Sequence, residues 1–426
     1  TVQVLALLED RRVGGAAAGP SLIVVPRSLV FNWIDEAARF TPKITVRNYT
    51  GLLRKPLLDA LQPGDVVVTT YGTLRRDILK LKEIAFDYAI LDESQAIKNS
   101  SSLASKAARL LNARHRLALT GTPVENHLGE LWSLFEFLNP GMLGRSTVFQ
   151  KCWKNGRAEP EKVELLRAAL APFLLRRTKE KVLAELPRKT EQTLYCELDR
   201  QERKAYNQLR KYYRDALQKK IDAGRLNQSK IQVLEALLRL RQAACHRGLL
   251  DPKHAAGTSA KLETLLEQLA EILAEGHKAL VFSQFTSLLA IVRGHLDRRG
   301  TVYEYLDGST TKRGAKVRRF QEDPDCRLFL ISLKAGGHGL NLTAADYVFI
   351  LDPWWNPAVE AQAVDRAHRI GQTRPVFAYR IIARDTVEEK ILELQASKRN
   401  LAEAIIATDG SLIQRLTAED LQLLLS

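Results

Sequence analysis

Short runs of uninterrupted apolar and β-branched residues recur along this chain, each followed by a polar turn and an amphipathic stretch. In the first part of the chain they fall at 22–25, 66–70, 88–91 and 117–119. A strand that alternates apolar and polar residues keeps one wet face, whereas a strand apolar at every position must be covered on both. That is the condition of a parallel sheet flanked by crossover helices. The stretch after the first run reads as such a helix, with Val30, Trp33, Ile34 and Ala37 on one stripe and Ser28 placed to cap it. The pattern returns late in the chain at 279–282, 303–306, 328–331, 348–351 and 377–382.

Between about 138 and 257 the alternation stops and long charged helical patterns take over, notably 200–223 and 230–244. The expected fold is therefore α/β, with two parallel-sheet lobes in tandem and an all-helical insertion or linker between them. A chain of 426 residues suits two or three domains. The divisions expected are a first lobe over 1–140, a helical insertion and linker over 141–257, a second lobe over 258–400 and a helical tail over 401–426. Thr386 and Glu389 have the spacing of a capping box, and Val387, Ile391 and Leu394 continue an apolar stripe behind it. The stretch 416–425 reads as one more short helix.

Composition narrows the classes. With 45% hydrophobic and 27% charged residues, neither disorder nor a fibre is indicated. Lysine and arginine total 64 against 49 acids, a formal +15 that favours a polyanionic partner, although an ordinary basic surface reads the same way. Cys152, Cys196, Cys245 and Cys326 lie far apart, which points away from a disulfide framework or a zinc site and towards a reducing interior. No apolar run approaches the roughly 20 residues of a membrane span, and the amino end lacks a signal peptide's layout, so no membrane role is expected.

The residues that carry chemistry lie at the ends of the apolar runs. Asp92 and Glu93 close one of them, where ligands bind in open α/β folds. There one acid can hold Mg²⁺ while the next orients an attacking water, although two solvated acids at a strand end would look the same. Thr120, Gly121 and Thr122 follow the next run, with hydroxyls able to sense phosphate state or simply to make a turn, and Asn126 can cap the helix after them. In the second half Gln362, Arg366 and Arg369 are spaced i, i+4, i+7, which on a helix presents an amide and two guanidinium groups on one face. Such a face suits a γ-phosphate or a set of surface ion pairs. Lys334, Ala335, Gly336, Gly337, His338 and Gly339 follow a strand, and their glycines let backbone N–H groups approach an anion, although a flexible surface loop would read the same way. Trp354 and Trp355 read first as core. Cys245–His246 has no second pair at ligand spacing, and no G-x-S-x-G elbow is present.

Taken in order, these segments resemble the helicase-like motor of superfamily two and, within it, the SNF-type DNA-dependent ATPases and translocases. The resemblance rests on LIVVPRSLVFNW (22–33), VVVTTYGTLRRD (66–77), LDESQAIKN (91–99) and LALTGTPVENHLGELWSLFEFLNP (117–140) in the first half. LRRTKEKVLAELPRK (175–189) is similar to the family's connector, and VFSQFT (281–286) and LDGSTTKRGAKVRRFQ (306–321) to its second lobe. The stretch 332–372, with DPWWNP and RAHRIGQ, is the most specific. The resemblance implies two RecA-like lobes that close on ATP and Mg²⁺, and movement along double-stranded DNA without strand separation. It would make Asp92 and Glu93 the Walker B pair and Gln362, Arg366 and Arg369 the second lobe's contribution to hydrolysis. Thr1, Asp92, Gln95 and Gly339 would meet the nucleotide, with Thr1 and Asp92 on Mg²⁺, and Thr120, Gly121 and Thr122 would couple the site to movement. DNA backbone contacts would come from Pro26, Arg27 and Ser28; Tyr71, Gly72 and Thr73; Ser283, Gln284 and Phe285; Gly308, Ser309 and Thr310; and Lys334, Ala335, Gly336 and Gly337.

The sequence starts at Thr1, which aligns with the threonine of the family's Gly-Lys-Thr phosphate loop, so these 426 residues alone are expected to bind ATP poorly and hydrolyse it negligibly, unlike the intact protein. Asp365 stands where the superfamily often has glycine, and the family's L-R-Q-x-C-N-H-P pattern departs at Ala244–Arg247. Short insertions point to a bacterial or archaeal protein at the cytoplasmic nucleoid (nuclear if eukaryotic), acting as a monomer. A catalytically silent DNA-binding scaffold, a strand-separating helicase and an RNA-polymerase-associated recycling ATPase of the same family stay open.

Overall fold

The apolar runs become strands of two parallel sheets in the computed structural model, which describes residues 1–51, 54–120, 128–144, 166, 168–175, 177, 183, 185–222, 230–336, 340–355 and 357–402. The chain divides into two compact units, Thr1–Ala184 and Glu185–Ser426. That division falls inside the stretch assigned from sequence to insertion and linker.

The first unit opens with α1 (Val2–Val13), β1 (Ser21–Val25), α2 (Val30–Phe40), β2 (Val46–Asn48), β3 (Val66–Thr70) and α3 (Tyr71–Leu81). It continues with β4 (Phe86–Leu91), α4 (Leu103–Arg109), β5 (Ala113–Ala118) and α5 (Leu128–Leu138). The sheet order is β2-β3-β1-β4-β5, with every pairing parallel. Successive side chains of a strand point to opposite faces, and both faces here are apolar. Ile23 and Val25 pack with Val4, Leu5, Leu8, Trp33 and Ala37, while Leu22 and Val24 pack with Leu74, Leu81, Ala107 and Phe137. On α5, Leu131, Leu134 and Phe135 turn inward, as their spacing implies. Asn126, the candidate cap, lies outside the described residues.

Ser28 does not cap α2. Pro26 instead starts a 3-10 turn over Arg27–Leu29, closed by Leu29 N donating to Pro26 O at 2.9 Å, and Leu29 takes the cap position with no side-chain bond. The short strand β2 had no apolar run to announce it. Gly19 sits against the neighbouring backbone, and a Cβ there would lie 2.6 Å from the carbonyl oxygen of Ala85. Gly19→Ala is therefore expected to lower the stability of this unit by about 1–3 kcal/mol through overpacking, read as an earlier thermal melt.

The second unit contains β6 (Lys189–Cys196), α6 (Arg200–Asp222), α7 (Lys230–Cys245), α8 (Ala260–Ala274), β7 (Ala279–Ser283), α9 (Thr286–Arg298), β8 (Tyr303–Leu306) and α10 (Arg313–Glu322). After these come β9 (Leu328–Ser332), β10 (Tyr347–Ile350), α11 (Pro357–Val364), β11 (Val376–Ala383) and α12 (Val387–Ala402). Its sheet order is β6-β11-β10-β7-β9-β8, again wholly parallel.

The all-helical reading of 141–257 is corrected by β6, which pairs with β11 over eight residues. Its sequence, KTEQTLYC, is mostly polar because an edge strand keeps much of its surface in water. The helices of that stretch also belong to this unit's core, where Tyr206, Leu237 and Leu240 cluster with Leu265, Val281 and Ile391. The capping box is shifted by one position. Glu389 accepts from Asp385 N at 2.9 Å rather than from Thr386, and the Thr386 hydroxyl accepts from Glu388 N at 3.3 Å. Asp385 enters the left-handed region, with φ 52°, to make that bend. The stretch 416–425 lies outside the described residues.

Candidate functional site

In the first sheet the chain passes from β1 to the edge strand β2, returns through β3 beside β1, then continues on the other side in β4 and β5. The crevice beyond the strand ends where that direction reverses is where open α/β folds bind ligands. Asp92 and Glu93 leave β4 at that place, and Asp92 N donates to Val24 O of β1 at 2.9 Å. Glu93 is one of two described non-glycine residues with positive φ, at φ 49° and ψ 54°. A left-handed glutamate costs about 1–3 kcal/mol and persists only where its surroundings enforce it.

Those surroundings are visible. Asp92 Oδ2 accepts from the indole Nε1 of Trp33 at 2.8 Å, and Oδ1 accepts from Glu93 N at 2.9 Å. The phenol of Tyr71 donates to the Asp92 carbonyl at 2.8 Å. Burial, followed by the charges of Asp92 and Glu93, pushes that phenol well above its ordinary pKa, so it remains a donor. Glu93 Oε2 accepts from Gln95 Nε2 at 2.7 Å, and Gln95 Oε1 accepts from the Thr120 hydroxyl at 3.2 Å, while Ser94 N reaches Leu119 O. A polar relay thus runs from the acid pair to the end of β5. Gly121 and Thr122 lie outside the described residues. Thr1 precedes α1, and its carbonyl accepts from Leu5 N.

The candidate DNA-contact residues of this unit divide by exposure. Arg27 and Gly72 are exposed and Pro26 is partly so, whereas Ser28 and Thr73 are buried. Tyr71, Gly72 and Thr73 form the first turn of α3 rather than a loop, capped by Thr70 Oγ1, which accepts from Thr73 N.

The second sheet reverses direction between β7 and β10, and the two strand ends are tied there. Ser283 Oγ and Gln284 N both donate to the buried carboxylate of Asp352. Burial raises the Asp352 pKa, against the pull of Arg241, whose guanidinium is 3.8 Å away. Arg241 also donates to Pro353 O and Gln284 Oε1, and lies 5.7 Å from both the Phe285 and Trp355 rings. Ser283, Gln284 and Phe285 are thus engaged internally. Trp355 is 8% exposed and joins the core.

The helical face proposed for Gln362, Arg366 and Arg369 is corrected. Helix α11 ends at Val364, so Gln362 lies on it while the two arginines lie in the turns that follow. Arg366 is 7% exposed, and its carbonyl accepts from Leu342 N at 3.0 Å. Gln372 holds these turns by donating to Ala345 O and Ala367 O. Glu360 on α11 accepts from Trp354 N and Arg380 Nε, each at 2.7 Å, which fixes the helix that carries Gln362.

Gly308 and Ser309 are exposed and Thr310 partly so, in a turn built on Asp307, whose Oδ1 accepts from Ser309 N and Thr310 N, each at 3.0 Å. Burial opposes ionisation of Asp307, but hydrogen bonds from Ser309, Thr310 and Tyr305 outweigh it and lower its pKa. Leu333–Gly336 form a helical turn in which Ala335 is buried. Lys334 has its backbone in that turn, and Gly337, His338 and Gly339 lie outside the described residues. Cys245 and His246 are both engaged internally: Sγ reaches Glu388 at 3.3 Å, and the ring nitrogens of His246 face Gly248 N and Gly257 O.

Sequence spacing did not reveal Trp33, Arg241, Asp352 or Glu360 as parts of these arrangements. The contact from Trp33 to Asp92 spans 59 residues, and a buried indole is ordinary core in any sequence pattern. Among the described residues no helix is long and apolar enough to cross a membrane.

The family described as SNF2-related domain matches residues 1–249, and the helicase conserved C-terminal domain matches residues 260–371. An uncharacterized ATP-dependent helicase of Mycoplasma pneumoniae is 37% identical over 99% of this chain and 40% of its own length. A putative ATP-dependent helicase/translocase of Bacillus subtilis is 37% identical over 98% of the chain and 46% of its own length. Less than half of each of these relatives is therefore spanned. The Sulfolobus solfataricus SWI2/SNF2 ATPase core in complex with dsDNA is 33% identical, covering 99% of this chain and 89% of that one with a TM-score of 0.49.

Proposed function

Because the chain belongs to the family of SNF2-related domains, we propose that it is the motor core of an ATP-dependent translocase acting on double-stranded DNA. One observation carries the reading: an acid pair sits at the reversal point of a parallel sheet, its second member in a strained backbone state and its first held by a buried indole and a partly buried phenol. Strain maintained in this way at a strand end where ligands bind supports a functional role for the pair.

The donor set suits Mg²⁺, a hard cation that takes carboxylate oxygen. Each oxygen of Asp92 accepts one hydrogen bond from the chain, and a carboxylate has acceptor capacity beyond two such bonds. When bound, the ion would neutralise developing charge on the phosphates. Asp92 is the residue to hold it, directly or through water. Glu93 would orient and activate the attacking water, with its carboxylate aimed by Gln95, and the contact from Gln95 to Thr120 would pass the state of the site to the segment after β5. By the family resemblance Gln362, Arg366 and Arg369 would contribute an amide and two positive charges to hydrolysis, with Glu360 and Gln372 holding the segment that carries them.

Arg27, Gly72, Gly308 and Ser309 are exposed and would offer a guanidinium and backbone groups to phosphates. Contacts of this kind carry little base information and release counterions, so binding would be weakly sequence-specific and steeply salt-dependent.

The test is the ATPase rate of the full-length protein with duplex DNA, single strands and RNA in turn. Duplex DNA is expected to stimulate most, and the duplex concentration for half-stimulation should rise steeply with salt. Equal rates with and without nucleic acid would rule the reading out. Unwinding of a forked duplex would move it to a strand-separating helicase.

A further inference from the structure

Asp92 is held from two sides by residues of two different helices. The Trp33 indole on α2 meets its carboxylate, and the Tyr71 phenol on α3 meets its carbonyl. Trp33 is 1% exposed, so its N–H has no water to turn to. An indole N–H is a donor only, and a buried one without an acceptor is costly. The bond therefore fixes the carboxylate plane as firmly as it satisfies the indole. With Oδ1 taken by Glu93 N, the two remaining directions of the carboxylate have one orientation.

The Tyr71 bond acts on the backbone. It anchors the peptide that joins Asp92 to Glu93, the same peptide that must be turned for Glu93 to reach φ 49°. The two donors thus fix different quantities: Trp33 the aim of the first acid, Tyr71 the turn that presents the second.

We infer that Trp33 and Tyr71 are positioning residues for the acid pair, setting the geometry of Asp92 and Glu93 without touching nucleotide. The inference rests on the proposed ATPase function and adds to it the two side chains that hold the site in register. It also separates Tyr71 from the nucleic-acid contacts, because its hydroxyl is committed to the Asp92 carbonyl.

The experiment compares Tyr71→Phe, Trp33→Phe and Glu93→Gln with the unaltered full-length protein. It reads kcat, KM for ATP, the Mg²⁺ concentration for half-maximal rate, duplex affinity and thermal melting. Tyr71→Phe removes one oxygen and is expected to lower kcat about tenfold, with KM for ATP, duplex affinity and melting temperature little changed. Trp33→Phe should raise the Mg²⁺ requirement severalfold as well as lower kcat. Since it also empties some core volume, its melting temperature is read alongside, and Tyr71→Phe stands as the variant free of that effect. A merely structural role would lower kcat only in step with melting, and would leave the Mg²⁺ requirement unmoved. Normal kcat in both phenylalanine variants beside an inactive Glu93→Gln would overturn the positioning inference alone. If Glu93→Gln turns over like the unaltered protein, the functional reading falls and takes this inference with it.

Discussion

Replacing Glu93 by glutamine is expected to lower ATP turnover of the full-length protein by about 10²–10⁴-fold, the range associated with losing a positioned general base. The substitution changes one oxygen to nitrogen and keeps the side-chain length. Its carbonyl can still accept from Gln95 Nε2, which now meets Glu93 at 2.7 Å. Glutamine meets the same steric terms as glutamate at φ 49°, so the strained turn survives. What is lost is the ability to take a proton from water. Nucleotide affinity is accordingly expected to remain, measured with a fluorescent ATP analogue, while phosphate release collapses. Turnover within threefold of normal would show that the acid pair is a solvated strand end and not a catalytic one.

The second large effect concerns stability and lies in the other unit. Lys261 and Glu388 are both fully buried and meet at 2.6 Å, and the ammonium also donates to Leu351 O at 2.7 Å, one residue before Asp352. Desolvation works against the charged lysine, but the neighbouring Cys245 and Glu388 more than reverse it and raise its pKa. Lys261→Met would strand the carboxylate of Glu388 in the core. Breaking a buried pair from one side costs about 3–5 kcal/mol. For a unit of this size that corresponds to roughly 6–20 °C in melting temperature, read by calorimetry. Glu388→Leu combined with Lys261→Met removes both charges and is expected to recover most of the loss, because the cost lies in the unpaired group rather than in the absence of attraction. A single variant that melts within 2 °C of normal would show that the pair contributes little.

The sheets were legible because a strand covered on both faces must be apolar at every position, as at Leu22, Ile23, Val24 and Val25. An edge strand has no such obligation. Lys189–Cys196 is largely polar and lies between helical patterns, so it read as part of a linker, although it pairs along its whole length with β11. The stretch 362–369 failed for another reason. Its residue types allow a helix to continue, but beyond Val364 the Arg366 carbonyl accepts from Leu342 N and the Ala367 carbonyl from Gln372, partners that helical spacing does not announce.

The sequence by itself determined the α/β class, the two-sheet organisation and the position of Asp92 and Glu93 at a strand end, because these follow from local hydrophobic pattern and order along the chain. Tertiary structure alone decided that Trp33 meets Asp92 across 59 residues, that Tyr71 turns inward, and that Arg241 and Lys261 hold buried partners. A pattern reports which side chains must leave water. Which buried donor finds which acceptor depends on how the elements pack, and no periodicity along the chain encodes that.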